Sequence, residues 1–192
     1  MDRDAGFLSL EADPWNPRSF TMASLVELPS APAQTWAQPT AGVPAEQVVA
    51  RTIHSAIFGE DRTIGVYLPA GFDPAGGPYP YVIVFDGEAY GSGPEALIPT
   101  PRILDNLIAQ GKVPPMLGVL VDSQATRDRD LPMSAPFGDF LAKEVAPWVR
   151  REYRRTEDPA RVTLAGSSFG GLCAAYCAFH HPLAGEARPA QP

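Results

Sequence analysis

The sequence lacks the features that would place a protein in a membrane or on nucleic acid. No apolar run in its 192 residues is long enough to span a bilayer. The first seven residues do not form the basic-then-apolar pattern of a signal peptide. Lys and Arg number 15 against 22 Asp and Glu, and the net charge of −7 argues against nucleic acid or an acidic membrane surface as the main partner. These absences predict a soluble, cytoplasmic protein.

Cysteine is scarce, with only Cys173 and Cys177 in the chain. On a helix, residues four apart hold their Cβ atoms about 5–6 Å from each other, which is too far for an unstrained disulfide. Their neighbourhood supplies no further metal ligands. We therefore predict two small apolar residues on the buried face of a helix, with no metal and no cofactor.

Proline, by contrast, is abundant, and many of the 22 prolines lie in the first 45 positions. Proline breaks regular elements, so residues 1–45 are predicted to be a connector that packs on something else. The hydrophobic pattern changes from Val48 onward. Residues 46–192 are therefore predicted to form a separate folded unit.

Alternating strand and helix patterns after residue 46 predict an α/β fold. Val48–His54 and Arg62–Leu68 indicate a hairpin. Helix patterns at about 100–111 and 137–153 separate three short apolar runs that are typical of buried strands, at 81–86, 116–122 and 162–165. A hairpin followed by three strand–helix repeats predicts a mostly parallel sheet with right-handed crossovers.

The most informative segment is Gly166-Ser-Ser-Phe-Gly170, which fits G-x-S-x-G between the last strand and the last helix. In that context the pattern indicates a nucleophile elbow with Ser168 as the nucleophile. An oxyanion hole beside it would use the N–H of Phe169 and a second N–H, from Gly87 or Glu88, in the loop after the first buried strand. Asp86 and Asp122 each end a buried strand at the edge where α/β sites form, although strand-ending aspartates also cap loops.

Beyond the elbow, a series of stretches resembles the enterochelin (enterobactin) esterases of the α/β-hydrolase superfamily. The similar stretches occur in this order: Asp13–Pro17, Val26–Pro29, Val66–Pro69, Phe85–Gly87, Ile98–Pro101 with Leu104–Leu107, Arg127 with Asp130–Pro132, and Ala165–Leu172.

The resemblance implies a serine esterase that cleaves the ester backbone of an iron-loaded siderophore in the cytoplasm, with no cofactor and a small-molecule siderophore ester as partner. It places Arg127 near the substrate, where a guanidinium would suit an anionic ferric catecholate. The alternative is that Arg127 and Asp130 form a surface ion pair of little energetic value. Residues 1–45 resemble only the last stretch of the family's N-terminal domain, and residues 46–192 resemble the N-terminal part of its α/β-hydrolase catalytic domain.

The histidine of such an enzyme is harder to find. His180 lies twelve residues after Ser168, about 18 Å away along a helix, and neither His181 nor His54 is better placed. The family delivers its acid and histidine from later strand–helix units, and Leu183–Pro192 has no apolar run for the next strand. We therefore expect an α/β-hydrolase fold truncated after the elbow helix, with an irregular tail and an open edge at strand 162–165. The alternatives are an inactive or weakly siderophore-binding fragment, or another carboxylesterase of the same superfamily.

Overall fold

The structure is a computed structural model that divides into two compact units, Met1–Thr35 and Trp36–Pro192. The residues that it describes are 13–16, 19–20, 23–24, 26, 28–45, 47–92 and 96–181. In the first unit, β1 (Ser19–Phe20) pairs antiparallel with β2 (Ala23–Ser24). The division into a connector at 1–45 and a catalytic part at 46–192 stays a prediction.

The second unit is built on a five-stranded sheet, as far as its described residues go. Its strands are β3 (Gln47–Ser55), β4 (Glu60–Leu68), β5 (Tyr81–Phe85), β6 (Leu117–Val121) and β7 (Val162–Ala165). Their order is β3-β4-β6-β5-β7. β5 is parallel to β6 and β7, whereas β4 runs antiparallel to both β3 and β6. The predicted hairpin and the parallel pairing of β5 with β6 and β7 are confirmed, whereas the sheet as a whole is mixed and β7 is only partly buried.

Helices connect the strands. They are α1 (Gly87–Tyr90), α2 (Thr100–Ala109), α3 (Arg127–Asp130), α4 (Ala135–Phe140), α5 (Ala146–Tyr153) and α6 (Phe169–His180), with 3-10 turns at Thr35–Ala37, Gln124–Thr126 and Pro159–Arg161. Thr100 begins α2 and Pro99 occupies the cap position.

The single helix predicted at 137–153 is a continuous helical segment that changes from α- to π-helical geometry and back. A π-helical segment, Leu141–Val145, lies between α4 and α5. Pro147 follows it within the first turn of α5. A proline removes a backbone donor and clashes with the preceding turn of a regular α-helix, and the wider π turn before it relieves both problems.

Two apolar layers cover the sheet. On one face Ile83, Phe85 and Val119 pack among residues of α4, α5 and α6, including Phe137, Phe140, Val149 and Cys173. On the other face Val82, Val84 and Leu120 pack with Tyr67 and with Leu104 of α2. A sheet covered on both faces explains why its central strands are continuous apolar runs.

The parallel strands β5, β6 and β7 all end at the same end of the sheet, which is its carboxyl edge. Asp86, Asp122 and the elbow follow directly after these three strands. β7 is the last strand in the sheet order, and within the described residues its outer edge has no partner strand. The predicted irregular tail, Leu183–Pro192, lies outside the described residues.

Candidate active site

The elbow places Ser168 in a strained backbone conformation. β7 ends at Ala165 and α6 begins at Phe169, so the chain reverses within three residues. Ser168 has φ 55° and ψ −121°, in a region that non-glycine residues rarely adopt. Its side chain is exposed at the carboxyl edge of the sheet. Strand, strained serine and helix in this order are the geometry of a nucleophile elbow.

The glycines beside Ser168 are needed for close approach. A Cβ on Gly166 would lie 2.5 Å from the carbonyl carbon of Gly170, a distance that no side chain tolerates. A Cβ on Gly170 would lie 3.3 Å from Oδ2 of Asp86. Neither glycine has a positive φ. The turn therefore requires small residues because two backbone segments touch.

The predicted oxyanion donors lie on two neighbouring segments. Phe169 is the first residue of α6, and Gly87 and Glu88 open α1 immediately after β5. First-turn N–H groups have no acceptor inside their own helix, and the described residues provide none for these three. The assignment of an oxyanion hole to Phe169 with Gly87 or Glu88 stays a prediction.

Asp86 is buried at the centre of this edge and holds Arg127. Arg127 Nε donates to Oδ1 at 2.8 Å and Nη2 donates to Oδ2 at 3.0 Å, while the Ser123 hydroxyl also donates to Oδ1. The hydrogen bond to Asp86, aided by its negative charge, raises the pKa of Arg127. The guanidinium carbon of Arg127 lies 5.4 Å from the ring centroid of Phe169.

The alternative of an Arg127–Asp130 surface pair is wrong. Asp130 is fully buried, and its carboxylate accepts from Arg62 Nη1 at 2.8 Å, from Arg129 Nε at 2.7 Å and from the Thr126 hydroxyl at 2.6 Å. Arg127 bonds to Asp86 instead. Arg127 and Asp130, three residues apart on one short helix, thus take different ionic partners.

Asp122 is placed against the loop after β5. A Cβ on Gly87 would lie 2.6 Å from Asp122 Oδ1, so only glycine fits at that position. Glu88 Oε2 accepts from the N–H of Ser123 at 3.0 Å and brings a second carboxylate to the same place. Burial first, and the charge of Glu88 second, raise the pKa of Asp122 to about 6. No side-chain cap by Asp122 is found in the described residues, so the loop-capping alternative has no support.

We expect Asp122 to make stability depend on pH. Its pKa rises from 3.8 unfolded to about 6 folded, so protonation favours the folded state. This contribution is complete below about pH 4 and is lost as pH rises through 6. The loss amounts to about 2 kcal/mol, after a discount for partial exposure. Asp122→Asn should therefore gain stability over the wild type as pH rises from about 4 to 7 in urea unfolding.

Asp128→Asn is the matched control for this measurement, because it removes an exposed carboxylate from the nearby helix α3. The stability difference of Asp122→Asn from the wild type should change with pH by more than that of Asp128→Asn. An equal change in the two variants would contradict the prediction.

The chain's three histidines all lie away from the elbow. His54 is on β3 and pairs with the exposed Asp61 at 2.8 Å. His180 ends α6, the helix that Ser168 opens, and the twelve-residue length of α6 puts it about 18 Å from the serine. His181 packs over Gly138 and lies 3.3 Å from Asp139. None of them can take the proton of Ser168.

Cys173 and Cys177 are buried free thiols whose sulfur atoms are 3.8 Å apart, so the prediction of two small buried residues is confirmed. In the described part of the chain, no cluster of His, Cys, Asp or Glu could hold a metal ion. No helix of the described residues could cross a membrane.

Comparison with known proteins identifies the fold. The Esterase family model (described as "Putative esterase") matches residues 55–184, which is more than half of the chain. The chain belongs to this esterase family. The elbow and the loop after β5 both lie within the matched range.

Curated relatives of this chain include iron(III) enterobactin esterases. The protein from Escherichia coli K12 is 29% identical over 180 residues, which cover 89% of this chain and 43% of that protein. The protein from Yersinia enterocolitica is 30% identical over 128 residues, which cover 66% of this chain and 35% of that protein. The chain therefore spans less than half the length of these curated relatives.

Solved structures give the same result. The enterobactin esterase from Shigella flexneri, determined in the presence of enterobactin, matches with a TM-score of 0.74 and 28% identity over 90% of this chain and 45% of that one. The ferric enterobactin esterase from Salmonella typhimurium matches with a TM-score of 0.74 and 30% identity over 90% of this chain and 44% of that one. The predicted α/β-hydrolase-like fold and the family resemblance are confirmed.

Proposed function

We propose that this protein hydrolyses ester bonds of a siderophore of the enterobactin class, with Ser168 as the nucleophile. The observation that carries the proposal is the strained, exposed serine at the carboxyl end of β7. The iron(III) enterobactin esterases among the relatives support the substrate class. Release of iron from such a substrate, in the cytoplasm, is part of the same proposal.

In the proposed reaction the Ser168 hydroxyl attacks the carbonyl carbon of one ester and forms a tetrahedral intermediate. The N–H of Phe169, with that of Gly87 or Glu88, stabilises the negative charge on the former carbonyl oxygen. The N-terminal end of α6 adds favourable electrostatics there. As the bond to carbon forms, Ser168 gives its proton to a base from solution. The intermediate then collapses, the ester C–O bond breaks, and the leaving alkoxide takes up a proton from solution. Water attacks the acyl-Ser168 ester, which releases the acid and restores the Ser168 hydroxyl.

The proton transfers limit the rate of this chain on its own. A serine hydrolase uses a histidine within hydrogen-bond reach of the serine, and the histidines of this chain lie elsewhere. A serine and an oxyanion hole without the base still retain about 10³–10⁴-fold acceleration over water. We therefore propose slow, Ser168-dependent turnover that a base from solution accelerates.

Arg127 is the proposed contact for the substrate's anionic groups. Two of its guanidinium nitrogens bond to Asp86, which leaves Nη1 for a ligand, and about a third of the side chain is exposed beside Phe169. A ferric catecholate carries negative charge that a planar guanidinium can bind. A chain that binds the siderophore without cleaving it is the second candidate function, and the placement of the histidines favours it.

Hydrolysis of a cyclic triester of 2,3-dihydroxybenzoylserine, with and without iron, tests the proposal. The rate should rise linearly with added free imidazole, which supplies the missing base, and it should exceed the rate with p-nitrophenyl acetate at equal concentration. Ser168→Ala gives the background that imidazole produces alone. Siderophore binding without any Ser168-dependent hydrolysis would support the binding function. A preference for the acetate ester would indicate a general carboxylesterase.

A further inference from the structure

The Asp86 carboxylate joins three stretches of the chain that are far apart in sequence. It lies directly after β5, accepts from Ser123 after β6 and from Arg127 at the start of α3, and packs against Gly170 in α6. Its side chain is almost fully buried. A buried carboxylate requires partners of this kind, because an unpaired charge there would be strongly destabilising.

The backbone of Asp86 is also specialised. Its φ of 58° and ψ of 48° are left-handed, which is uncommon for a residue with a side chain. Its carbonyl accepts from Ala89 and Tyr90, at 2.8 and 3.1 Å. The N–H groups of Gly87 and Glu88 therefore take their direction from the conformation of Asp86.

Arg127 connects this loop with the elbow. Its guanidinium bonds to both oxygens of Asp86 and lies over the ring of Phe169, whose N–H is the other predicted oxyanion donor. A bidentate pair fixes both distance and angle, which a single hydrogen bond does not. The ring contact adds a cation–π attraction. The two segments that carry the predicted donors are therefore held by one ion pair.

We propose that Asp86 and Arg127 are positioning residues, which hold the loop after β5 in register with the elbow so that both predicted donor segments face one oxyanion. This inference rests on the proposed function for its chemical consequence. The physical coupling of the two segments is independent of turnover. Arg127 then acts through Asp86 and Phe169 on every ester, charged or neutral.

Amide NMR of the ¹⁵N-labelled chain tests the coupling without requiring activity. Arg127→Lys keeps the charge but loses the bidentate geometry, and we expect it to shift the amide signals of Gly87, Glu88 and Phe169 together. Asp86→Asn removes the charge and should shift the same three signals. Arg129→Lys is the matched control, because it makes the same change on α3 to an arginine that contacts Asp130 and Glu60.

Signals of Gly87, Glu88 and Phe169 that move no further in Arg127→Lys than in Arg129→Lys would overturn the proposal. Arg127→Met provides a second variant if Asp86→Asn does not fold. Shifted signals in a chain whose wild type shows no turnover would support the coupling while the proposed function fails.

Kinetics with p-nitrophenyl acetate, a neutral ester with no anionic group for Arg127 to bind, provides the second readout. Positioning predicts that Arg127→Lys lowers kcat about 10- to 100-fold on this ester, with little change in KM, because a donor displaced by about 1 Å loses much of its effect. A rise in KM confined to the anionic siderophore, with kcat unchanged on the neutral ester, would show that Arg127 only binds substrate.

Discussion

Ser168→Ala should remove most of the imidazole-accelerated ester hydrolysis by this chain, whereas Ser167→Ala should retain it. The two serines are adjacent, but only Ser168 has the positive φ that lifts a side chain out of the turn. Removal of the nucleophile from a complete serine protease costs about 10⁶-fold in rate. Here the expected loss is much smaller, because a chain without a positioned histidine already lacks most of that acceleration, and the acceleration from the oxyanion hole and substrate binding survives the substitution.

The acyl intermediate gives a direct measurement of this prediction. Deacylation needs a base as acylation does, so a p-nitrophenyl ester should leave an acyl group on the protein that intact-mass spectrometry detects. Peptide mapping should place the group on Ser168 in the wild type and in Ser167→Ala. An adduct that persists in Ser168→Ala, or that maps to Ser167, would contradict the assignment of the nucleophile.

Local sequence patterns were sufficient to predict the elbow and the sheet. The apolar runs of β5, β6 and β7 are typical of strands covered on both faces, and Gly166 and Gly170 bracket a serine at the required spacing. Each of these signals is contained within a short stretch of the chain. Their physical cause, a backbone that nearly touches itself between Gly166 and Gly170, is equally local.

The partners of charged side chains could not be predicted in the same way. Arg127 bonds to Asp86, which is 41 residues earlier in the chain. Asp130, three residues after Arg127, pairs with Arg62 on β4. The sequence shows Arg127 and Asp130 close together, but the pairing depends on which way each side chain points from α3 and on which strands lie beneath it. A pattern of residue types along one segment contains neither piece of information.

Asp130→Ala should destabilise the protein by about 3 kcal/mol, because it leaves the buried guanidinium of Arg62 with an incomplete set of partners. Arg62 is 1% exposed and Asp130 is fully buried. After the substitution Arg62 keeps a 2.7 Å contact with Glu60, which is 38% exposed. That remaining contact places the expected cost near the lower end of the usual range for breaking a buried ion pair.

The protonation state of Asp130 supports a charged pair. Burial alone would raise the pKa of Asp130, but hydrogen bonds from Arg129, Thr126 and Arg62 together outweigh it and lower the pKa. The carboxylate is therefore ionised at neutral pH and accepts hydrogen bonds from three side chains. Asp130→Asn keeps an acceptor oxygen but loses the charge. Its free energy of unfolding should therefore lie between those of the wild type and Asp130→Ala.

Urea unfolding at neutral pH measures the effect, with Asp128→Ala as the control on the same short helix. Asp128 is exposed, so its removal should change the free energy of unfolding by less than about 0.5 kcal/mol. A difference of under about 1 kcal/mol between Asp130→Ala and Asp128→Ala would show that Glu60 alone can neutralise Arg62. The predicted difference would instead show that the ion pair beneath α3 holds in place the helix from which Arg127 reaches Asp86.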